Sequence, residues 1–319
     1  MSFFIQELRP SPFEMEPWQN PIPARKERVG EFEINFIEKG LGSTLIFIHG
    51  LAANLNVWNY SFFELSQNYH CIALDLPGYG NSTILNTQYS FDLFAKSIVG
   101  LMDKLGIEKA TMIGNSMGGH TSAYLGINYP ERVERLVLVD PSGTLVFPLH
   151  LRLATLYPEL TASLVYKFFV KRTLSSPPER VLKNLQEIAN RFKILKRFFF
   201  HNPDSSPAKE FTEFILTHLA LLISKGQMYE FLWMLTRPAK MIHQTNLTKH
   251  LNKIKSPTLL VWGDDDWQVP IKFAKIFHQN IPGSKFVLIK DCGHCPMIEK
   301  PNEFNTAVKE FLQTSNKIC

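Results

Sequence analysis

Apolar residues follow two rhythms along this chain. In residues 31–38 they nearly alternate with polar ones, as in a strand with one buried face. Residues 45–48, 71–74, 110–113, 136–139, 258–262 and 286–289 are apolar almost throughout, as strands covered on both faces of a parallel sheet are. Between these runs, Trp58, Phe62, Phe63 and Leu65 recur at helical spacing, and so do Leu93, Ile98, Leu101, Met102 and Leu105. Ser90 stands where the second helix needs its N-cap, and Gly106 where it needs a stop. Further helices are predicted over residues 271–280 and 302–312. Such alternation of strand and helix predicts a mostly parallel sheet covered by helices. It breaks off from residue 144 to residue 250, where helical spacing and aromatics continue without a convincing strand. Residues 1–28 are rich in proline and carry little periodicity. The expected organisation is an irregular arm over 1–28, an α/β core over 29–143 and 251–319, and a helical lid inserted at 144–250.

Length allows one large α/β domain or two ordinary ones, and 45% hydrophobic residues describe a globular chain with a large core. A net charge of +5, with no basic run interleaved with aromatics, argues against nucleic acid as a partner. Four cysteines in 319 residues do not make a secreted disulfide framework. The N-terminus shows no basic region followed by an apolar one, and no apolar run approaches the ~20 residues of a membrane helix, so a cytoplasmic location is expected. Charge is uneven, however. Residues 144–250 hold 15 Lys and Arg against 7 Asp and Glu, and 10 of the 25 phenylalanines. Among them are Phe168, Phe169 and Phe198–Phe200, the last three beside Lys193, Lys196 and Arg197. The simpler expectation is that these aromatics line an acyl pocket or pack the lid on the core while the basic groups face water. The sharper alternative is peripheral contact of the lid with an anionic membrane surface.

Candidate chemistry centres on Gly114-Asn115-Ser116-Met117-Gly118, between an apolar run and a predicted helix. A serine squeezed between strand and helix needs a backbone angle that L-residues avoid, and glycines two before and two after leave room for the turn. The arrangement lifts the hydroxyl clear and sets it at a helix N-terminus, which favours developing negative charge. Ser116 is therefore the candidate nucleophile. A serine hydroxyl needs a base, and the base a carboxylate to orient it. Two histidines follow predicted strands directly, His294 and His49, and the Gly50 beside His49 suggests a bracing role in a turn. For the carboxylate, the strand ending at Trp262 delivers Asp264, Asp265 and Asp266.

In order along residues 29–315 stand His49-Gly50, Asp75-x-x-Gly78-x-Gly80-x-Ser82, Gly114-Asn115-Ser116-Met117-Gly118-Gly119, Gly263-x-x-Asp266 and Gly293-His294-x-Pro296-x-x-Glu299. In these motifs the chain resembles the serine-nucleophile branch of the α/β-hydrolase superfamily, with a lid between the sixth and seventh core strands. The resemblance implies Ser116 as nucleophile, His294 as general base and then acid, and Asp266 as orienting carboxylate, with Asp140 as the fallback. It also implies an oxyanion hole from the backbone N–H groups of Leu51 and Met117, no cofactor and no metal. Asp75 and Glu299 fall inside turn motifs and are expected to hold loops. Carboxylesterase and monoacylglycerol-lipase-like relatives share the elbow and the tail after His294, so a small apolar ester is the expected substrate. Hydrolases that cleave carbon–carbon bonds of ring-fission diketo acids share the elbow too, but usually carry Trp where Cys295 stands. Two rivals come from other classes: a thiol redox protein built on Cys292 and Cys295, and a scaffold without activity.

Overall fold

The computed structural model describes residues 22–83, 89–144, 180, 181, 183, 184, 187, 199–224 and 228–314. Eight strands form one sheet: β1 (Arg25–Val29), β2 (Phe32–Lys39), β3 (Thr44–Ile48), β4 (His70–Leu74), β5 (Ala110–Asn115), β6 (Val133–Val139), β7 (Thr258–Gly263) and β8 (Lys285–Ile289). Their order across the sheet is β1-β2-β4-β3-β5-β6-β7-β8. β2 runs antiparallel to β1 and β4, and every other pairing is parallel. β1 corrects the expectation of an irregular arm through residue 28; residues 1–21 lie outside the described ones. The Arg25–Arg28 stretch has no apolar alternation because an edge strand is wet on much of its surface. It is held by main-chain pairing to β2, with Arg25 closing an ion pair on Glu38.

The continuous apolar runs are explained by where alternate residues go. Ile46, Ile48, Ile72, Leu74, Met112, Leu136, Leu138, Leu260 and Trp262 pack into one core. Leu45, Phe47, Cys71, Ala73, Ile113, Val137, Val139, Leu259 and Val261 pack into the other, on the opposite face. Both faces are dry, so no polar alternation survives in the central strands.

Helices cover the sheet as α1 (Asn59–Leu65), α2 (Phe91–Lys104), α3 (Met117–Asn128), α4 (Ser206–Ser224), α5 (Met228–Gln244), α6 (Lys272–Asn280), α7 (Pro296–Glu299) and α8 (Pro301–Thr314). Ser90 caps α2, its Oγ accepting from Leu93 N–H at 3.0 Å. The inserted segment leaves after Thr144 and returns beside its point of departure, where Leu247 N–H donates to Gly143 O at 2.8 Å. Its described residues include α4 and α5 and no strand. Phe168, Phe169, Lys193, Lys196, Arg197 and Phe198 lie outside the described residues, and so does the surface on which a membrane contact was expected. Phe200 is buried, whereas Phe199 is 40% exposed. No helix among the described residues is long and apolar enough to cross a membrane.

Two buried polar residues fix the loops at the carboxyl end of the sheet. His49 Nδ1–H donates to Gly50 O at 2.8 Å, and its Nε2 accepts from Leu76 N–H at 3.0 Å. Asp75 accepts from Asn35 Nδ2, Leu55 N–H and Asn81 N–H at 2.8–2.9 Å. Both residues therefore serve as loop braces.

His120, in the first turn of α3, stacks on Phe91 with centroids 3.6 Å apart, and its Nε2 is buried without a partner among the described residues. Burial depresses its pKa to about 3. An unfolded chain takes up that proton below pH ~6.5, so stability is full above that value and falls as pH drops toward 3. His120→Gln is expected to flatten the decline by up to ~1.4 kcal/mol per pH unit. Urea denaturation at steps between pH 7 and pH 4 checks it: parallel losses in wild type and variant would assign the acid sensitivity elsewhere.

Candidate active site

Ser116 sits at the joint between β5 and α3 with φ 55° and ψ −113°, a conformation that costs a non-glycine residue about 1–3 kcal/mol. The surrounding backbone enforces it. Ser116 N–H donates to Val139 O at 2.9 Å, and its own carbonyl accepts from His120 and Ser142 N–H at 2.9 and 3.1 Å. A Cβ on Gly114 would lie 2.2 Å from Gly118 O, and one on Gly118 would lie 2.0 Å from Ile48 O. The elbow is thus wedged between β5 and the end of β3, with no room for side chains at either glycine.

The same crowding brings the loop after β3 to the serine. A Cβ on Gly50 would stand 3.3 Å from Ser116 Cβ, which sets Leu51 beside the elbow. Met117 opens α3 directly after the serine, its Sδ accepting from the Tyr79 hydroxyl at 3.8 Å. The N–H groups of Leu51 and Met117 donate to no acceptor among the described residues.

Of the three acids after β7, it is Asp266 that meets the histidine. Its Oδ2 accepts from His294 Nδ1–H at 2.7 Å, and its Oδ1 accepts from Gln268 and Val269 N–H at 2.7 and 2.9 Å. The His294 and Asp266 side chains are only 4% and 0% exposed. With the proton on Nδ1, Nε2 is the basic nitrogen of the ring. Asp264 instead accepts from Cys292 N–H, and Asp265 bonds His201 Nδ1 and Trp267 Nε1. Asp140, the fallback, accepts from Gly263 N–H at 3.1 Å rather than from His294. No hydrogen bond joins Ser116 to the His294 ring among the described residues; such contacts often stay long until substrate binds. The two loops are tied through Asn115, whose Nδ2 donates to His294 O at 3.1 Å.

Glu299 has a larger part than its motif suggested. Its carboxylate accepts from Gly293 N–H at 2.7 Å, from His201 N–H at 3.0 Å and from Asn202 N–H at 2.6 Å. His294 N–H also donates to Phe199 O at 2.8 Å. The middle of the inserted segment, at Phe199–Asn202, is therefore fastened to the histidine loop. Nothing in the sequence announces this, since it joins residues about a hundred positions apart through main-chain donors. A cavity of about 480 Å³ beside the clamp is lined by His201, Asn202, Ser205, Asp291, Glu299 and Lys300, away from Ser116.

Cys292 and Cys295 are buried and unpaired, and burial pushes both thiols well above their ordinary pKa. Neither is the exposed, low-pKa thiolate that dithiol redox chemistry needs. Asp140, Asp266 and His294 bring ligand atoms within 4.8 Å of one another. The His294–Asp266 hydrogen bond already occupies two of those groups.

The alpha/beta hydrolase fold family matches residues 43–301. A 2-hydroxy-6-oxononadienedioate/2-hydroxy-6-oxononatrienedioate hydrolase from Paraburkholderia phymatum is 30% identical over 295 residues, covering 88% of this chain and 91% of that protein. A membrane phospholipase A described as a bacterial virulence factor superposes with a TM-score of 0.69 at 26% identity, over 93% of this chain and 87% of the other. A thermophilic esterase from Thermogutta terrifontis gives 0.71 at 22% identity, over 92% and 98%, a likeness of fold.

Glu299→Ala strands three main-chain donors and is expected to destabilise the protein by roughly 3–5 kcal/mol, with Glu299→Gln intermediate. Chemical denaturation reads the difference; a loss under 1 kcal/mol for the alanine variant would remove the clamp from the structure's main supports.

Proposed function

This chain belongs to the alpha/beta hydrolase fold family, and on that premise we propose that it cleaves carboxylic esters of apolar acyl groups through an acyl-serine intermediate. Ser116 Oγ attacks the ester carbonyl while His294 Nε2 takes its proton. The N–H groups of Leu51 and Met117 receive the developing oxyanion, each worth about 3 kcal/mol in such sites. His294 then gives the proton to the departing alcohol, and a water activated by the same nitrogen releases the acid. Asp266 keeps the ring in the Nδ1–H tautomer and stabilises the imidazolium. The observation that carries this reading is the buried 2.7 Å bond from His294 to Asp266, at the sheet end where Ser116 is held at φ 55°.

Cleavage of a carbon–carbon bond in a ring-fission diketo acid is the second reading, favoured by the Paraburkholderia phymatum relative. Ester cleavage ranks first because Cys295 follows the histidine at the place where carbon–carbon hydrolases of this kind usually carry Trp.

Ser116→Ala and His294→Ala are each expected to lower turnover of a p-nitrophenyl ester by several powers of ten, and the double variant to lose little more. A fluorophosphonate probe should label wild type and not Ser116→Ala. Near-normal turnover in His294→Ala would take the base away from that residue. Turnover of a vinylogous diketo acid orders of magnitude above that of any ester would put the second reading first.

A further inference from the structure

Asp140 closes β6 with φ 43°, a left-handed conformation that Asp and Asn tolerate better than most residues. It is completely buried, its N–H donates to Val261 O, and its Oδ1 accepts from Gly263 N–H. Its Oδ2 has no donor among the described residues. Close to this carboxyl group lie that of Asp266 and the His294 ring, with ligand atoms of all three within 4.8 Å of one another. Two carboxylate oxygens are both acceptors, so two ionised groups packed this closely in a dry site repel, while one proton between them makes a hydrogen bond.

The proton's place follows from the partners of each group. Asp266 already receives three N–H donors, two on Oδ1 and that of His294 on Oδ2, which favour its charged form. Asp140 receives one. We propose that Asp140 is a positioning residue of the triad, holding a proton on Oδ2 and donating it to the Asp266 carboxylate. Burial first, then the Asp266 charge, raises the Asp140 pKa well above the ordinary carboxylate range. The other titratable groups around the pair are the Cys292 and Cys295 thiols and Glu299, with Lys300 beyond them. The thiols are neutral, and Glu299 spends its charge on three main-chain donors. The donated bond fixes Asp266 against the His294 ring and draws off part of its charge, so His294 is less strongly held in its protonated form.

This inference rests on the triad roles proposed above and is tested in two ways, one of them independent of turnover. Infrared difference spectra of wild type minus Asp140→Asn at pH 7 should show the C=O stretch of a protonated carboxyl group. Absence of that band overturns the proposal whatever the enzyme's substrate. The second readout is the rate of fluorophosphonate labelling at Ser116 against pH, whose acid limb reports protonation of His294. Asp140→Asn keeps an acceptor for Gly263 N–H and a donor for Asp266, so its acid limb should stay at the wild-type position. Asp140→Ala should label roughly 10- to 100-fold more slowly, as small misplacements of a triad do, with its limb moved to higher pH. Asparagine should restore most of the lost rate. A limb displaced to lower pH in Asp140→Asn would show that a negative charge had been removed, and the proposal fails. A loss of several powers of ten in Asp140→Asn, matching Asp266→Asn, would instead make Asp140 the orienting acid. Normal labelling with a normal limb in a destabilised Asp140→Ala would leave it a purely structural residue. If wild type is not labelled at all, the serine-hydrolase reading fails while the infrared result still decides where the proton resides.

Discussion

Close approach of main chain to main chain governs this molecule. Gly118 lies so near the Ile48 carbonyl that a single methyl group would stand 2.0 Å from it, and Gly114 meets Gly118 in the same way. Three consequences share that one constraint. The turn at Ser116 is forced into a conformation serine does not choose; α3 begins directly beneath the hydroxyl; and the loop after β3 is pressed against the serine. Gly263 repeats the pattern at the end of β7, where a Cβ would meet Gly293 O at 2.1 Å. That contact brings the acid loop after β7 against the histidine loop after β8. Chemistry at this sheet end thus depends on absent side chains as much as on present ones.

Charge is handled in this region by saturating each buried carboxylate with donors. Asp75 and Glu299 take main-chain and amide N–H groups, and Asp266 takes two main-chain N–H groups and one imidazole N–H. Unpaired ionised groups at this depth cost far more than they return, while groups with two or three donors become the posts to which loops are fixed. Asp140 departs from the pattern, and its proton resolves the departure. His49 and His120, both fully buried, are handled in the opposite way, kept neutral so that an imidazole can brace or stack inside the fold.

Much of this was legible in the sequence because the core strands are buried on both sides. Continuous apolar runs at 45–48, 110–113 and 258–262 admit few other readings, and turn motifs at their carboxyl ends pointed to Ser116, Asp266 and His294. β1 escaped because an edge strand held by backbone pairing leaves no apolar trace in Arg25-Lys26-Glu27-Arg28. The Glu299 clamp escaped because its donors are main-chain N–H groups, which carry no residue identity. Choosing among Asp264, Asp265 and Asp266 required a family spacing, since three adjacent acids look alike until their partners are known. The Asn115 tie to the His294 carbonyl is of the same kind, a long-range bond from a side chain the motif alone left without a task.

The inserted segment departs after Thr144 and comes home at Leu247, whose N–H binds the carbonyl of Gly143. Entry and exit are therefore neighbours in space, and the sheet beneath registers the insert as a loop whose ends are already joined. For a flexible loop, each doubling of length adds only about 0.6 kcal/mol of closure entropy. For the platform that carries Ser116, Asp266 and His294, the length of chain inserted between β6 and β7 thus adds little closure cost, while the insert's own contacts are concentrated at the Glu299 clamp. Substrate preference can then diverge through the cap among relatives of this fold while the reacting groups beneath keep their places. A hydrolase built on this plan acquires a new substrate by changing what covers the site.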